Sequence, residues 1–435
     1  MRETRQSVIY RNAVVNKTQS LPLLNGEAYM NHRLLFTDKQ NCCGCGACLN
    51  VCAKHAIKME EDEYGFVYPR IDDSLCVHCG MCSKVCDFQN NVVQDFEPQE
   101  VYAASAKDRE VLFQSSSGGI FALLAHKVLN DGGVVFGAAY VESGESISVE
   151  HIRVDNNDDL YKLQGSKYVQ SNIGEIYTLV KSDLIENRSV LFSGTPCQVA
   201  GLRSYLNKEY NNLYTVDIVC HGVPSQKLFH SMIKYYEHQF KGHIRNFSFR
   251  EKRRGWTDFY ALIDVDIKGI SHKKHIYCKN MAYYQYFLQA VIYRENCYAC
   301  KYAKRNRVSD ITLGDYWGIE TAHPSLFNDN SWRENLNNGI SCVLANTSKG
   351  ISLLNSVKEL ACFEKSNYEC VSRQNGQLRE SSKQSPLREE ILKQWMKTDY
   401  RTIQNDYKHN EGWHFYYIKV RKAIAPTIKR VLHWR

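Results

Sequence analysis

The feature that most constrains this sequence is a cysteine quartet that occurs twice. The repeated spacing C-x2-C-x2-C-x3-C is found in Cys42, Cys45, Cys48 and Cys52, and again in Cys76, Cys79, Cys82 and Cys86. In such a pattern, three thiolates bind one cubane, and the fourth leaves on the next helix to bind the other. The spacing therefore predicts two [4Fe–4S] clusters with exchanged fourth ligands. The first set is Cys42, Cys45, Cys48 and Cys86, and the second set is Cys76, Cys79, Cys82 and Cys52.

The residues around the quartets agree with this interpretation. Gly44, Gly46 and Gly80 suit tight loops in which the backbone approaches an inorganic core. Residues 56–59 and 64–69 predict two strands joined by a turn. The alternative metal is structural zinc, which prefers paired C-x2-C units with long spacers. The observed spacing favours iron–sulfur clusters.

Over residues 34–90 the pattern resembles that of bacterial two-cluster ferredoxins. It departs from theirs after each fourth cysteine, where the usual proline is replaced by Ala53 in one copy and Asp87 in the other. This change loosens a turn but removes no ligand.

Length and composition limit the class of protein. A chain of 435 residues is too long for one ordinary core, which predicts two or three domains. Its 17 cysteines are clustered and residues 1–19 lack an export signal, so we expect a reducing, cytoplasmic location. No apolar run approaches the ~20 residues that span a bilayer. The formal charge of +8 does not indicate nucleic-acid binding, because bound clusters add negative charge.

The chain is predicted to fold as an α+β ferredoxin module followed by an α/β domain with a mixed sheet and a helical C-terminal tail. Strand-like and helical runs alternate from about residue 100 to 350. The predicted segments are a leader (1–32), the ferredoxin-type domain (33–95), the α/β domain (96–350) and the helical region (351–435). Basic residues among apolar ones in 419–435 allow contact with an anionic membrane surface. Because Pro426 interrupts that pattern, packing on the protein is favoured.

Four further cysteines occur in contexts that suggest a third metal site. Cys197 follows the strand-like run 190–193 and Cys220 follows the run 214–219, and open α/β sheets bind ligands beyond the carboxyl ends of strands. Cys297 and Cys300 form a C-x2-C pair. The four thiolates fit one [4Fe–4S] cluster. The alternatives are that Cys197 and Cys220 are buried structural thiols, and that the Cys297–Cys300 pair is a zinc half-site or binds no metal. The other cysteines lack a partner at ligand spacing and are interpreted as structural: Cys43, Cys278, Cys342, Cys362 and Cys370.

Motifs between residues 100 and 350 resemble the beta-subunit family of coenzyme F420 hydrogenases and dehydrogenases. They are Ser116–Gly119, Gly165–Ser171, Gly194–Gln198, Cys220–Gly222, Cys297 with Cys300, and Ser309–Asp315. Many members carry a ferredoxin module before this region. The resemblance implies FAD beside a [4Fe–4S] cluster, and it makes Cys197, Cys220, Cys297 and Cys300 the expected ligands of that cluster.

The resemblance also implies flavin contacts. Residues 116–119 precede a predicted helix (120–129), whose free N–H groups suit a phosphate, although a plain N-cap gives the same pattern. Lys167 is a candidate for the flavin pyrimidine edge, or else a surface lysine. Thr195 and Gln198 are candidates to hydrogen-bond the isoalloxazine or to orient the cluster. The full predicted set is Ser116, Ser117, Gly118, Gly119, Lys167, Tyr168, Gln170, Ser171, Thr195 and Gln198.

The expected activity is that of an iron–sulfur, flavin-dependent oxidoreductase that exchanges electrons with ferredoxin, a deazaflavin or another carrier. The alternative is a non-catalytic electron-transfer subunit or docking protein of a larger redox complex, including complexes of polysaccharide biosynthesis. The basic residues Arg250, Lys252, Arg253 and Arg254 suit an acidic carrier or an anionic substrate, or simply form a solvated loop. His221 suits a proton relay or a structural role. The sequence does not identify the substrate.

Overall fold

The structure, a computed structural model, describes residues 32–143, 146–252 and 254–410. Its strands are β1 His32–Leu34, β2 Ile57–Glu61, β3 Val67–Asp72, β4 Glu100–Ala106, β5 Val134–Ser143, β6 Ser146–Val154, β7 Val190–Gly194, β8 Leu213–Ile218, β9 His243–Glu251, β10 Tyr260–Ile267, β11 Ile270–Tyr277, β12 Ile311–Asp315, β13 Ser341–Ala345 and β14 Ala361–Lys365. Residues 1–31 of the predicted leader, Arg253 and the basic tail 419–435 lie outside the described residues.

The helices occupy the connections between these strands. They are α1 Ala47–Val51, α2 Met81–Lys84, α3 Asp87–Asn90, α4 Arg109–Gln114, α5 Ile120–Asn130, α6 Ile176–Ile185, α7 Pro196–Leu206, α8 Gln226–Phe240, α9 Ala282–Leu288, α10 Ile319–Ala322, α11 Asn330–Asn338, α12 Ser348–Asn355, α13 Tyr368–Gln374 and α14 Arg388–Lys397. Residues 400–410 are also helical. None of the helices within these ranges has both the length and the apolar character needed to cross a membrane.

The N-terminal module has the predicted ferredoxin-like form. β3 lies between β1 and β2 in an antiparallel sheet, and β2 and β3 are the two strands expected between the quartets. Gly44, Gly46 and Gly80 all have positive φ, at 66°, 77° and 74°. This conformation is open to glycine and strained for other residues, which explains why these positions in the cysteine loops are glycines.

A mixed sheet of eight strands forms the centre of the larger domain, in the order β14-β4-β13-β12-β8-β7-β5-β6. The inner strands β12, β8, β7 and β5 run parallel, and antiparallel strands extend both edges. Helices cover both faces of this part of the sheet, because Leu191 of β7 packs in one cluster with α5 and its neighbours Val190 and Phe192 pack in another with α7. The predicted α/β domain with a mixed sheet is confirmed.

The region after residue 350 ends in helices within its described part, as predicted, but it also contributes a strand. β14 pairs with β4 along the edge of the large sheet. With only five residues, this strand is too short for its periodicity to be recognised in the sequence. A second, three-stranded sheet of β9, β10 and β11 packs beside α8.

The ferredoxin-like module packs directly on α7 of the larger domain. A Cβ atom added at Gly201 would lie 2.9 Å from Cys45 Sγ, so the glycine allows the helix to approach the first cysteine loop. Ser204 Oγ donates a hydrogen bond to the carbonyl of Val85 at 2.6 Å. The ferredoxin-like module is therefore held against α7, the helix that also carries Cys197.

Candidate metal and cofactor site

The first cysteine set surrounds one cavity. Cys42, Cys45, Cys48 and Cys86 all line a space of about 440 Å³, including the open volume at its mouth. Burial raises the pKa of Cys48, and the neighbouring thiols of the other three raise it further. The structure thus brings the fourth cysteine of one quartet to the first three of the other. Their role as cluster ligands stays a prediction.

The second set lies at the surface. Cys79 is exposed, and Cys52, Cys76 and Cys82 are partly buried. Burial raises the pKa of Cys82, and the thiols of Cys52 and Cys76 add to this shift, so these cysteines lie close together. Three apolar side chains of the same segment are exposed: Leu75, Val77 and Met81.

The third set converges on a separate cavity of about 650 Å³, including the open volume at its mouth. We call it the third cavity, after this set. Cys197, Cys220, Cys297 and Cys300 all line it. β7 and β8 are parallel neighbours, so Cys197 and Cys220 meet at the same edge of the sheet. Burial raises the pKa of Cys220 well above its usual range, and the other three thiols raise it further. Binding a metal would offset that cost, because the metal replaces the thiol protons.

Cys43 lies between the first and third sets and lines both cavities. Its pKa is raised by its interactions with the thiols of Cys197 and Cys45. The sequence predicts a structural thiol at Cys43, since it has no partner at ligand spacing. Its position beside Cys42 was the available signal, but the sequence does not show that the two cavities adjoin.

Four predicted flavin contacts line the third cavity: Gln170, Ser171, Thr195 and Gln198. Thr195 Oγ1 lies 3.1 Å from Cys197 Sγ. Gln198 accepts a hydrogen bond from the Thr195 backbone N–H at 3.0 Å and donates one to Ser171 Oγ at 2.9 Å. In this structure these side chains orient Cys197. Their contact with a flavin stays a prediction.

The remaining predicted flavin loops touch each other. The Ser166 N–H donates to Ser116 Oγ at 2.7 Å. Lys167 Nζ donates to the backbone carbonyls of Lys162 and Gln164 at 2.9 and 2.7 Å. Burial lowers the pKa of Lys167 to about 7. The Lys167 side chain is thus held by its own loop, and its role at a flavin edge stays a prediction.

The glycines before α5 allow their loop to pack on the sheet. The Gly118 N–H donates to Ser341 Oγ at 2.9 Å, and a Cβ atom at this position would lie 2.3 Å from the carbonyl oxygen of Ala104. Gly119 caps α5 with φ 80°. No larger residue fits at position 118 without displacing the loop.

Two members of the predicted basic cluster, Arg250 and Lys252, are buried and so do not contribute to a surface patch for a carrier protein, whereas Arg254 is exposed. Lys252 Nζ donates to the carbonyls of Leu112 and Ser117 at 2.6 and 2.8 Å. Arg250 forms an ion pair with Asp315. A run of charges in a sequence shows neither burial nor partners. The sequence therefore does not distinguish a solvated loop from a binding site for a carrier or an anionic substrate.

Arg250 retains unused hydrogen-bonding capacity. Its Nε and Nη2 atoms are buried and have no hydrogen-bond partner among the described residues. The guanidinium lies 4.6 Å from the centre of the Phe259 ring and 5.8 Å from that of Trp317. Burial raises the pKa of Tyr168, a predicted flavin contact, while nearby Arg250 opposes the shift. A buried guanidinium with two unused nitrogens suits an anionic ligand.

The residues present fit the implied groups. Each cavity is lined by the four thiols of one predicted set, which suit a [4Fe–4S] cluster. Cys43 lines both cavities in addition, and Cys82 also lines the first. Arg250, next to Tyr168 in the predicted flavin loops, fits an anionic group such as FAD. His221 also lines the third cavity and is exposed to solvent. The proton relay suggested for His221 stays a prediction.

Comparison with known proteins agrees with this arrangement. Residues 41–90 match the description of a 4Fe-4S dicluster domain. Residues 101–177 match the N-terminal part, and residues 187–370 the C-terminal part, of the coenzyme F420 hydrogenase/dehydrogenase beta subunit.

Individual relatives match over shorter ranges. The coenzyme F420-dependent sulfite reductase of Methanocaldococcus jannaschii is 26% identical over 196 residues, which cover 43% of this chain and only 29% of that protein. An uncharacterized ferredoxin of the same organism is 29% identical over 66 residues, covering 15% of this chain and 84% of the ferredoxin.

Among solved structures, a chain of the F420-reducing [NiFe] hydrogenase complex from Methanosarcina barkeri aligns with a TM-score of 0.38 and 16% identity, covering 71% of this chain and 92% of the other. The two matched beta-subunit regions and the preceding dicluster domain together identify the family. The chain belongs to the coenzyme F420 hydrogenase/dehydrogenase beta-subunit family and carries a 4Fe-4S dicluster domain before the two regions that define it.

Proposed function

We propose that this protein is an iron–sulfur flavoprotein oxidoreductase that passes electrons between a redox carrier and a substrate. The observation that carries the proposal is the convergence of Cys197, Cys220, Cys297 and Cys300 on one cavity beside the first cysteine set. When bound, [4Fe–4S] clusters carry single electrons and FAD couples them to two-electron chemistry.

The chain's own residues have separable tasks in this proposal. The first and third cysteine sets hold buried clusters, with Cys43 between them. Thr195 and Gln198 orient Cys197. Arg250 supplies two unused nitrogens to the anionic part of the flavin. We also propose a cytoplasmic location, because thiol ligands need a reducing compartment.

The second cysteine set faces the carrier in this proposal. Its Cys79 is exposed, and exposed apolar side chains flank it at Leu75, Val77 and Met81. Apolar contacts ringed by polar groups are typical of transient protein interfaces. The family description names coenzyme F420, which supports a deazaflavin as the carrier, and we propose ferredoxin as the alternative carrier. The sulfite reductase match covers under a third of that relative, so we propose the class of reaction and not the substrate.

The direct test is anaerobic reduction of the loaded protein by reduced ferredoxin and, separately, by a reduced deazaflavin. At least one carrier should reduce both the cluster absorbance and the flavin absorbance of the protein. If both carriers reduce the clusters and the flavin stays oxidised, the chain is an electron-transfer subunit and the oxidoreductase proposal is wrong.

Replacing Gly118 by alanine should weaken flavin binding about tenfold. The added Cβ atom would overlap the Ala104 carbonyl and force the 116–119 loop away from its position. Overpacking of this kind costs about 1–3 kcal/mol, and 1.4 kcal/mol is tenfold in affinity. The measurement is titration of the flavin-depleted protein with FAD.

The matched control is Gly376→Ala, because no atom lies within 4 Å of the Cβ position there. That variant should bind FAD as the unaltered protein does. Equal FAD affinity of the Gly118→Ala variant and the unaltered protein would remove the loop from the flavin site.

A further inference from the structure

Arg294 is a completely buried cation, with 0% of its surface exposed. A buried charge is costly unless an opposite charge lies close to it. The adjacent carboxylate, that of Glu295, pairs instead with Arg388 at 3.4 Å and accepts a hydrogen bond from Tyr68 at 2.8 Å. Within the described ranges, no carboxylate lies within the 4.0 Å ion-pair distance of the Arg294 nitrogens.

The side chain of Arg294 points to the first cysteine set. Its Nε donates to the Cys42 carbonyl at 3.0 Å, and its Nη2 lies 3.7 Å from Cys42 Sγ. The Nη1 donates to Gln170 Oε1 at 3.3 Å, and the guanidinium lies 4.0 Å from the centre of the Tyr68 ring. The sulfur of Cys42 is therefore the candidate source of the negative charge that balances the Arg294 guanidinium.

The backbone of Arg294 is hydrogen-bonded to the segment that carries Cys297, a member of the third set. Its N–H donates to the Val223 carbonyl, and its carbonyl accepts from the Cys297 N–H, both at 3.0 Å. A single residue thus connects the segment that carries Cys297 to the loop that carries Cys42.

We propose that Arg294 is the buried counter-charge of the [4Fe–4S] cluster on Cys42, Cys45, Cys48 and Cys86, and that it raises the reduction potential of that cluster. Reduction adds a negative charge, and a fixed cation at contact distance stabilises the reduced form most. The inference rests on the proposed function only in requiring the ferredoxin-type clusters.

The second set has a different environment, which explains why one cluster needs a protein cation. Its Cys79 is exposed to solvent, and the Asp73 carboxylate lies within 4.8 Å of the Cys76 thiol. Water stabilises added charge there, whereas no cysteine of the first set is exposed and all four surround a cavity. Arg294 therefore offsets the burial of the first cluster and keeps it a favourable electron acceptor for the exposed one.

The test is a potentiometric titration, followed by electron paramagnetic resonance, of the anaerobically loaded full chain. Arg294→Gln should lower the equilibrium constant for reducing the first cluster at least tenfold, which is about 59 mV for one electron. Arg294→Lys keeps the charge and should retain most of the potential. The signal of the second cluster should not move, and loss or alteration of a signal in Cys86→Ser identifies the first cluster.

A second variant tests the same charge without removing Arg294. Gln170→Glu has nearly the same shape and places a carboxylate beside Nη1, so it should also lower the potential of the first cluster. The matched control is Arg70→Gln, which removes a cation of the same module that forms a surface pair with Glu60. Because solvent screens that charge, its loss should leave both potentials nearly unchanged.

An unchanged first-cluster potential in either Arg294→Gln or Gln170→Glu would overturn the inference. If Arg294→Gln cannot be loaded with iron, Gln170→Glu decides alone. A wild-type chain that binds no iron in its ferredoxin module would instead overturn the proposed function.

Discussion

Replacing Cys297 by serine should remove about four irons per chain and leave the about eight of the two ferredoxin-type clusters. Cys297 is buried beside Cys197, Cys220 and Cys300 in the third cavity. Burial raises the pKa of Cys297, so even a thiol ionises with difficulty at this position. A serine hydroxyl is a weaker acid than a thiol, so it would be a poorer ligand here. Removing a residue that only hydrogen-bonds to a metal ligand lowers metal affinity ~10–100-fold. Cys297 is a proposed ligand itself, so its replacement should lower the affinity more.

Iron content, resonance spectra and carrier-driven reduction of the flavin measure the outcome. The matched control is Cys278→Ser, since Cys278 is also buried, does not line either cavity and has Sγ 3.5 Å from the Phe249 carbonyl. This control should keep all of its iron. Full iron content in Cys297→Ser would show that the third cavity is not a cluster site.

Replacing Arg307 by methionine should destabilise the sheet around the third cavity by about 3–5 kcal/mol. Arg307 is 2% exposed, and its Nη2 donates to Asp217 Oδ1 at 3.1 Å on the inner strand β8. Its other nitrogens donate to Thr312 Oγ1 and to the Tyr302 carbonyl at 3.1 and 2.9 Å. Removing the cation would leave the carboxylate of Asp217 charged, buried and unpaired.

Hydrogen exchange of peptides from β8 and β12 measures this loss as the free energy of local opening. The double variant Asp217→Asn/Arg307→Met should recover part of it, because no charge is then left without a partner. The control Arg305→Met breaks an exposed pair with Glu369 and should cost at most about 1 kcal/mol. A loss of similar size in Arg307→Met and Arg305→Met would contradict the assigned role of the buried pair.

The sequence predicted those parts of the site that depend on local spacing. Both quartets form the loops expected from C-x2-C-x2-C-x3-C, because glycine conformations and short helices follow from neighbouring residues. Cys197 and Cys220 meet because each directly follows a strand, and neighbouring parallel strands end at one edge.

The sequence did not predict features that arise from packing between distant segments. Arg294 is 252 residues from Cys42, and nothing near it in the sequence distinguishes a buried counter-charge from a surface arginine. Arg250 and Lys252 lie in a charged run, yet both are buried by elements far along the chain. The position of Cys43 between two cavities does not follow from the sequence, because spacing rules consider partners along the chain and not across a domain contact.

We propose that three sets of cysteines hold three clusters beside one flavin. The most direct measurement is the iron and flavin content of the anaerobically purified full chain. About twelve irons and one FAD per chain are expected if all the sites are filled. Close to eight irons with no flavin would contradict this proposal, because the second half of the chain would then hold neither a cluster nor FAD.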